Sequence, residues 1–370
     1  MVAVRNRQVA SLGLIRLFRY VETRMFSTDK ESVNMLRQGM LGLVFCMGIW
    51  VGTAANLQNA MAAAELKLSH TTSALDPADR FLLRKMTDYV AKKSDNKFKI
   101  TIYPAGELGA DSAKQYQQAV EGRADISLGL AGFTADQFPG TMVAELPGFA
   151  PDAVAGTEKL WKAIDLIKDE YKDTKLLSMW TSDRAVLMMR DKPVRTMADV
   201  KGLKIGVLTK AQGETVQALG GIPKVLPESA LFRSLKTEYV DGLMVTPIFL
   251  MSFDLGQLAK HYTVGPFPAT AFFLAMNRKT YDGLDAADKA LVNKATGIGM
   301  GKRGSKLYKN ASAFSLGNEE KAGKTVVRLS PEEEKKWLEA LAPVRENTIK
   351  RLKAKGIAVD ALFSAMGVRQ

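Results

Sequence analysis

The sequence predicts an α/β fold of two lobes around a hinged cleft, and three observations carry that expectation. Short apolar runs rich in β-branched residues alternate with amphipathic helical stretches from Glu65 onward, the pattern of strand–helix–strand units with a largely parallel sheet. The alternation occurs twice, on either side of the turn "RDKPVRT". Setting aside a leader of 64 residues leaves 306 of the 370, a length that suits two lobes better than one core.

The leader precedes the first element. Residues 40 to 51, "MLGLVFCMGIWV", form an uncharged apolar run with Lys30 and Arg37 ahead of it and the small residues of "NAMAAAELKL" behind it. A basic flank, a short apolar core and an alanine-x-alanine site describe a secretory signal, with Ala60-Met61-Ala62 or Ala62-Ala63-Ala64 as the cut. The run is shorter than the ~20 apolar residues that span a bilayer. Residues 1–64 are therefore expected to be removed on export to the periplasm, leaving no stable membrane insertion. Met25, Met35 and Met40 each fit as the true start. The single cysteine, Cys46, lies inside this leader, so the rest of the chain uses no disulfide, thiol nucleophile or thiolate metal site.

In the first set, "LKLSHT" reads as a strand and "DPADRFLLRKMTDYVAKKS" as a helix with Asp76 at its N-cap and Pro77 at its first position. "FKITIYPAG" leads into "DSAKQYQQAVEG", capped by Asp111 and ended by Gly122. "DISLGLAG", a helix around "TEKLWKAIDLIKDEY", and the strands "KLLSMW" and "AVLMMR" follow. In the second set come "LKIGVL", "AQGETVQALGG", "PKVLP", "ESALFRSLKTEY", "VDGLMV", "IFLMSFDLGQLAK" and "HYTVGPF". The chain returns through "AFFLAMN" into a long helical region from Asp285 towards Lys321, then a final helix opened by the Ser330-Pro331-Glu333 box and interrupted at Pro343. Lobe I is expected to comprise 65–183 and 275–305, lobe II 184–274 and 306–370.

Charge and motifs narrow the function. The formal charge is +13, of which the leader holds seven Arg/Lys and three Asp/Glu, leaving +9. The basic residues are mixed with acids, as in "PEEEKKWLEALAPVRENTIKRLK", so no unbroken patch recommends nucleic acid or a membrane surface, and an anionic small molecule is favoured. Gly299-x-Gly301-x-x-Gly304 matches a dinucleotide fingerprint in letters alone. The residues before it are helical, whereas pyrophosphate binding needs a strand there, and close helix packing is the expected role of these glycines. Only His70 and His261 remain after the leader, neither with a partner at metal-ligand spacing, and no cofactor is expected. His70, at the end of the first strand, is expected to be structural; the competing reading is a periplasmic α/β enzyme that uses it as a base.

Ligands of open α/β sheets sit at the carboxyl ends of strands. That rule selects Thr71 and Thr72 after the first strand, Phe133 after "SLGLAG", Trp180 and Arg184 between the lobes, Gly206 and Thr209 in "GLKIGVLT", and Thr246 after "VDGLMV". Gly206 sits in the middle of a strand, where a glycine marks a bulge or a close approach to the backbone.

Five stretches, "ELKLSHTT", "FKITIYPAGELGADSAKQYQQAVEGRADISLG", "KPVRTMADVKGLKIGV", "VQALGGIPKVLPESALFRSLKTEYVDGL" and "FFLAMNRKTYDGL", together resemble the DctP-like solute-binding proteins of tripartite ATP-independent periplasmic (TRAP) transporters. The resemblance implies a type II-like periplasmic binding fold, a long helix spanning both lobes, and delivery of a small solute to the membrane subunits of a TRAP permease. Many members that bind organic acids carry an arginine directly after "GLKI", which pairs with the ligand carboxylate; here the position is Gly206. The acidic contact that the resemblance implies after "ADISLG" falls on Leu130, and the polar run after "VDG" is replaced by "LMVTPIF", with Val245 in it. The remaining arginine of the pattern aligns with Arg184, with Arg190 as the competing candidate. Gly206 is expected to open space for a bulkier ligand or for one without a carboxylate at that end. A carboxylate with an aromatic or branched body, packed on Phe133 or Trp180, is the expected solute; a neutral polar solute, or service to an ABC transporter, is the alternative.

Overall fold

A computed structural model describes residues 64–368. The expected signal sequence lies outside the described residues. Their strands are β1 (Ala64–Ser69), β2 (Phe98–Tyr103), β3 (Ile126–Leu130), β4 (Thr174–Thr181), β5 (Val186–Met189), β6 (Lys204–Val207), β7 (Ile222–Val225), β8 (Gly242–Val245), β9 (His261–Val264), β10 (Ala271–Asn277) and β11 (Thr325–Arg328). They form two sheets, ordered β2-β1-β3-β10-β4 and β11-β9-β5-β8-β6-β7.

Each sheet is parallel except for one strand delivered by a crossing from the other. In the first, β10 runs antiparallel between β3 and β4; in the second, β5 runs antiparallel between β8 and β9. The chain passes between sheets over 182–185 and again over 265–270. The second passage precedes the boundary expected at 275, because the wholly buried run Ala271–Asn277 belongs to the first sheet as a strand. This exchange of one strand each way makes the two lobes and their hinge.

Several helix caps fall where the sequence places them, while the stretch expected as one helix around "TEKLWKAIDLIKDEY" is capped by Asp152 and breaks after Lys162. Asp76 Oδ1 accepts from the Ala78 N–H at 2.8 Å, Asp111 Oδ1 from Ala113 N at 3.0 Å, and Gly122 ends its helix with φ +72°. Ser330 caps Pro331–Ala340, and Pro343 opens the next helix, Ala342–Ala354, as a first-turn residue with no N–H to leave unpaired. The long helical region is two helices, Ala286–Ala295 and the 25-residue Gly297–Lys321, the latter packing on β4 and reaching β11 of the other sheet. Its glycines serve close packing. A Cβ on Gly301 would collide with Met179 O, and one on Gly304 would lie 3.1 Å from Trp180 and from Leu82. One apolar cluster continues through both lobes, with Leu128, Trp180 and Phe272 from the first and Val186, Leu243 and Val245 from the second.

Candidate functional site

The two lobes meet at the carboxyl ends of their strands. Asp76, in the turn after β1, accepts a hydrogen bond from Ser252 Oγ at 3.1 Å, and Ser252 belongs to the short helix Phe249–Ser252 after β8. The Tyr308 hydroxyl of the long helix donates to Asp76 Oδ1 at 3.2 Å. The Tyr308 ring lies 5.0 Å from Phe272, and Phe272 stacks on Trp180 at 5.5 Å with 9° between planes. The result is a buried aromatic wall, Trp180–Phe272–Tyr308, with a carboxylate at one end.

Several buried polar groups at or just beyond strand ends have no partner within the protein. They are both carboxylate oxygens of Glu228, the Thr246 hydroxyl and the Trp180 indole N–H. A buried donor or acceptor left unpaired costs about 1–3 kcal/mol, and a ligand that supplied the missing partners would remove that cost. Burial pushes the Glu228 carboxyl up to about 8, with the neighbouring Asp76 charge adding to the shift. Burial also raises Asp76, outweighing the lowering bonds from Ala78, Ser252 and Tyr308.

His70 is fully enclosed and used on both sides. Its Nε2 meets Asp79 Oδ2 at 2.9 Å and its Nδ1 meets the Thr72 hydroxyl at 2.8 Å, while Arg84 Nε donates to Asp79 Oδ1 at 2.6 Å. Hydroxyl, imidazole and carboxylate occur here in the order of a nucleophilic triad. All three are buried, however, and the chain of bonds ties the turn after β1 to the helix that follows it, which is a structural role.

The other expected residues divide. Thr72, Trp180 and Thr246 are buried, and Phe133 packs partly exposed against the apolar cluster that holds Trp180. Thr71 accepts from Ser112 Oγ at 3.0 Å. Thr209 caps the helix Lys210–Ala218 through Gln212 N, and Leu130 and Val245 are buried strand residues. Arg184 lies at the first crossing, where Nε donates to Pro151 O at 3.1 Å and Nη1 to Glu334 at 3.2 Å. Arg190 pairs with Asp191 and Glu238.

Gly206 differs from expectation. A Cβ there would lie 2.6 Å from Leu243 Cδ2 and 2.9 Å from Leu226 Cδ1, so two leucines of the same lobe fill the volume an arginine would enter. The close approach inferred from a mid-strand glycine is real, but the group that approaches is core. Gly132 makes a second close contact, since its Cβ would sit 2.5 Å from Thr209 Cγ2 and 2.8 Å from Glu145 Oε2.

Sequence reasoning missed Glu228, Asp76 as a bridge, Ser252, Tyr308 and Glu145. Glu228 carried a usable signal: it is an acid three residues beyond β7, opening the turn that follows the strand end. Tyr308 and Ser252 carried none, being helix residues without a motif. Glu145 accepts from Ala271 N, at the start of β10, at 3.1 Å. Burial lifts its carboxyl to about 7 against the lowering bonds of Ala271 and Thr209. Among the described residues no group of three or more His, Cys, Asp or Glu could hold a metal ion, and no helix is long and apolar enough to cross a membrane.

Comparison with known proteins agrees with this architecture. The family model for DctP, bacterial extracellular solute-binding protein, family 7, matches residues 68–351. The ectoine/5-hydroxyectoine-binding periplasmic protein UehA of Ruegeria pomeroyi is 30% identical over 255 residues, covering 64% of this chain and 74% of that one. A TRAP solute-binding protein of Rhodoferax ferrireducens, solved with copurified benzoate, superposes with TM-score 0.79 at 24% identity, over 82% of this chain and 96% of that one. One from Bordetella bronchiseptica, solved with (R)- and (S)-mandelate, gives 0.75 at 21%, over 82% and 97%. The two strand-exchanged lobes, the long helix and the match over most of the described residues lead to one conclusion: the chain belongs to the DctP family of bacterial extracellular solute-binding proteins, the receptors of TRAP transporters.

Proposed function

We propose that this receptor works in the periplasm, after removal of its leader, and hands a small organic acid with an aromatic or branched body to the membrane subunits of a TRAP permease. The observation that carries the reading is the buried wall of Trp180, Phe272 and Tyr308, with the unpartnered N–H of Trp180 on it, together with the unpartnered Thr246 O–H just after β8. A ring packs on such a wall, and a carboxylate accepts from both donors, so recognition needs no arginine at position 206. Arg184, bonded to Pro151 and Glu334, serves the hinge in this reading. The solutes of the Rhodoferax and Bordetella proteins, benzoate and mandelate, and the ectoine of the 30% identical relative, are all carboxylates. No catalytic step is assigned to His70.

Isothermal titration of the mature protein against benzoate, 3-hydroxybenzoate, mandelate, ectoine and a set of neutral polyols tests the reading. Binding of one of the acids, weakened at least tenfold by Thr246→Val, is the expected result. Binding of polyols alone, or turnover of a bound compound that His70→Ala abolishes, overturns it.

A further inference from the structure

Glu228 poses a question that an organic acid alone does not answer. Its side chain is 3% exposed and neither carboxylate oxygen has a hydrogen-bond partner in the protein. The nearest charge acting on it is another carboxylate, Asp76, and both oxygens of Asp76 are already occupied, by Ala78 N and Tyr308 on one side and Ser252 on the other. Among the described residues no Lys or Arg is ion-paired with Glu228 or Asp76, and the basic side chain that acts on Asp76 is His70, held by Asp79 and Thr72. Two carboxyl groups have thus been brought together in a dry junction without a cation of the chain's own to balance them. A buried acid pair of this kind is stable when a cation from outside completes it.

We infer that Glu228, with Asp76 behind it, is a subsite for a positively charged nitrogen, so that the physiological solute is a zwitterion with an ammonium or amidinium group as well as a carboxylate. The inference rests on the organic-acid reading above and deepens it: Trp180 N–H and Thr246 O–H take the anionic end, and Glu228 takes the cationic end. The aromatic wall between Trp180 and Tyr308 links the two ends, since Tyr308 bonds directly to Asp76. The same arrangement accounts for the missing arginine. A guanidinium on β6, which pairs in parallel with β7, the strand whose end leads to Leu226 and Glu228, would bring a cation of the chain's own to these strand ends and leave no charge to select for a cation. Leu226 and Leu243 occupy its place.

Proton linkage gives a test in the unmodified protein. Tyr308, Asp76 and, through Asp76, His70 are the titratable groups facing Glu228. When the cleft is open, Glu228 is solvated and ionised at neutral pH. Closure over a pure anion buries it beside Asp76 and makes it take up about one proton, whereas closure over a cation keeps it ionised and takes up none. The probes are benzoate, 3-(aminomethyl)benzoate and ectoine, titrated at pH 7 in two buffers of different ionisation enthalpy, on wild type and on Glu228→Gln. The expected result is that a zwitterion binds at least tenfold tighter than benzoate, without proton uptake, and that Glu228→Gln removes that advantage while leaving benzoate within about threefold. Binding of benzoate as tightly as either zwitterion, with the same proton uptake for all, overturns the cation subsite and leaves the organic-acid reading standing. Binding of neutral polyols alone overturns both. Because the linkage is read on wild type, a Glu228→Gln protein that fails to fold does not remove the test.

Discussion

Ser252 Oγ stands 3.1 Å from Asp76 Oδ2 and donates to it across the junction between the two lobes. Asp76 belongs to the turn after β1 of one sheet and Ser252 to the helix after β8 of the other, so this bond exists only while the lobes are together. Opening the cleft gives both groups to water. The bond therefore contributes to the closed state alone, and Ser252→Ala should leave Asp76 Oδ2 buried and unpaired on closure, at about 1–3 kcal/mol. The expected outcome is a five- to hundredfold loss of solute affinity with little change in the melting of the empty protein. Small-angle scattering provides the second measurement. Wild type should become more compact on saturation, as hinged receptors do, and an unchanged profile at saturating solute would contradict a bond that forms on closure.

At Gly206 the prediction concerns stability. A methyl group there meets Leu243 at 2.6 Å and Leu226 at 2.9 Å, and both leucines are buried. Gly206→Ala should destabilise by about 1–3 kcal/mol through overpacking, read by urea denaturation. Gly206→Arg should cost more, because a guanidinium would enter a leucine-filled volume. Leu243→Ala combined with Gly206→Ala should recover part of the loss, since the shortened side chain vacates the contact. Additive losses in the double variant would mean that the two positions do not compete for the same space.

How much of this was legible in the sequence depends on the range of the interaction. Capping is local, so Asp76, Asp111, Gly122, Ser330 and Pro343 could be read from their neighbours. Strand–helix alternation is local too, and the order of elements gave the family. Glu228 and Thr246 follow strand ends, yet what faces Glu228 is decided by Asp76 and Tyr308, far away in the chain. Gly206 shows the limit most clearly. Its mid-strand position signalled a close approach, but whether a ligand or a leucine makes that approach depends on the register of β6 against β8, which pairs it with Leu243. Sequence order alone does not encode that neighbour.

Arg184 tests the hinge against the ligand site. Its guanidinium bonds to Glu334 at 3.2 Å and to Pro151 O at 3.1 Å, with the charged ends about a fifth and somewhat over a quarter exposed. Partly solvated pairs of this kind contribute about 0.2–1 kcal/mol, so a double-mutant cycle over Arg184→Ala and Glu334→Ala should give a coupling in that range. Solute affinity should change less than about threefold. A loss of about 2–5 kcal/mol in binding, the cost of stripping a desolvated charge of its partner, would instead put the guanidinium on the solute.

The buried carboxyls set the pH dependence of stability, and Glu145 is where it can be isolated. Burial raises its folded-state value to about 7 from an ordinary 4.5. A raised acid binds its proton more tightly in the folded chain than in the unfolded one, so stability from this group is complete below about pH 4.5, declines as pH rises, and is lost above about 7. Asp183, raised to about 6, acts in the same direction. Glu145→Gln keeps an oxygen to accept from Ala271 N but has no proton to lose. Urea denaturation of the empty protein at pH 5 and pH 8 should therefore show a smaller drop in the variant than in wild type. The difference should be up to about 3 kcal/mol, because each tenfold gain in proton affinity on folding is worth about 1.4 kcal/mol. At pH 8 the variant should be the more stable of the two. The same drop in both proteins would mean that Glu145 is ionised and solvated in the empty receptor, as it would be if the Gly132–Thr209 contact that covers it opened together with the cleft.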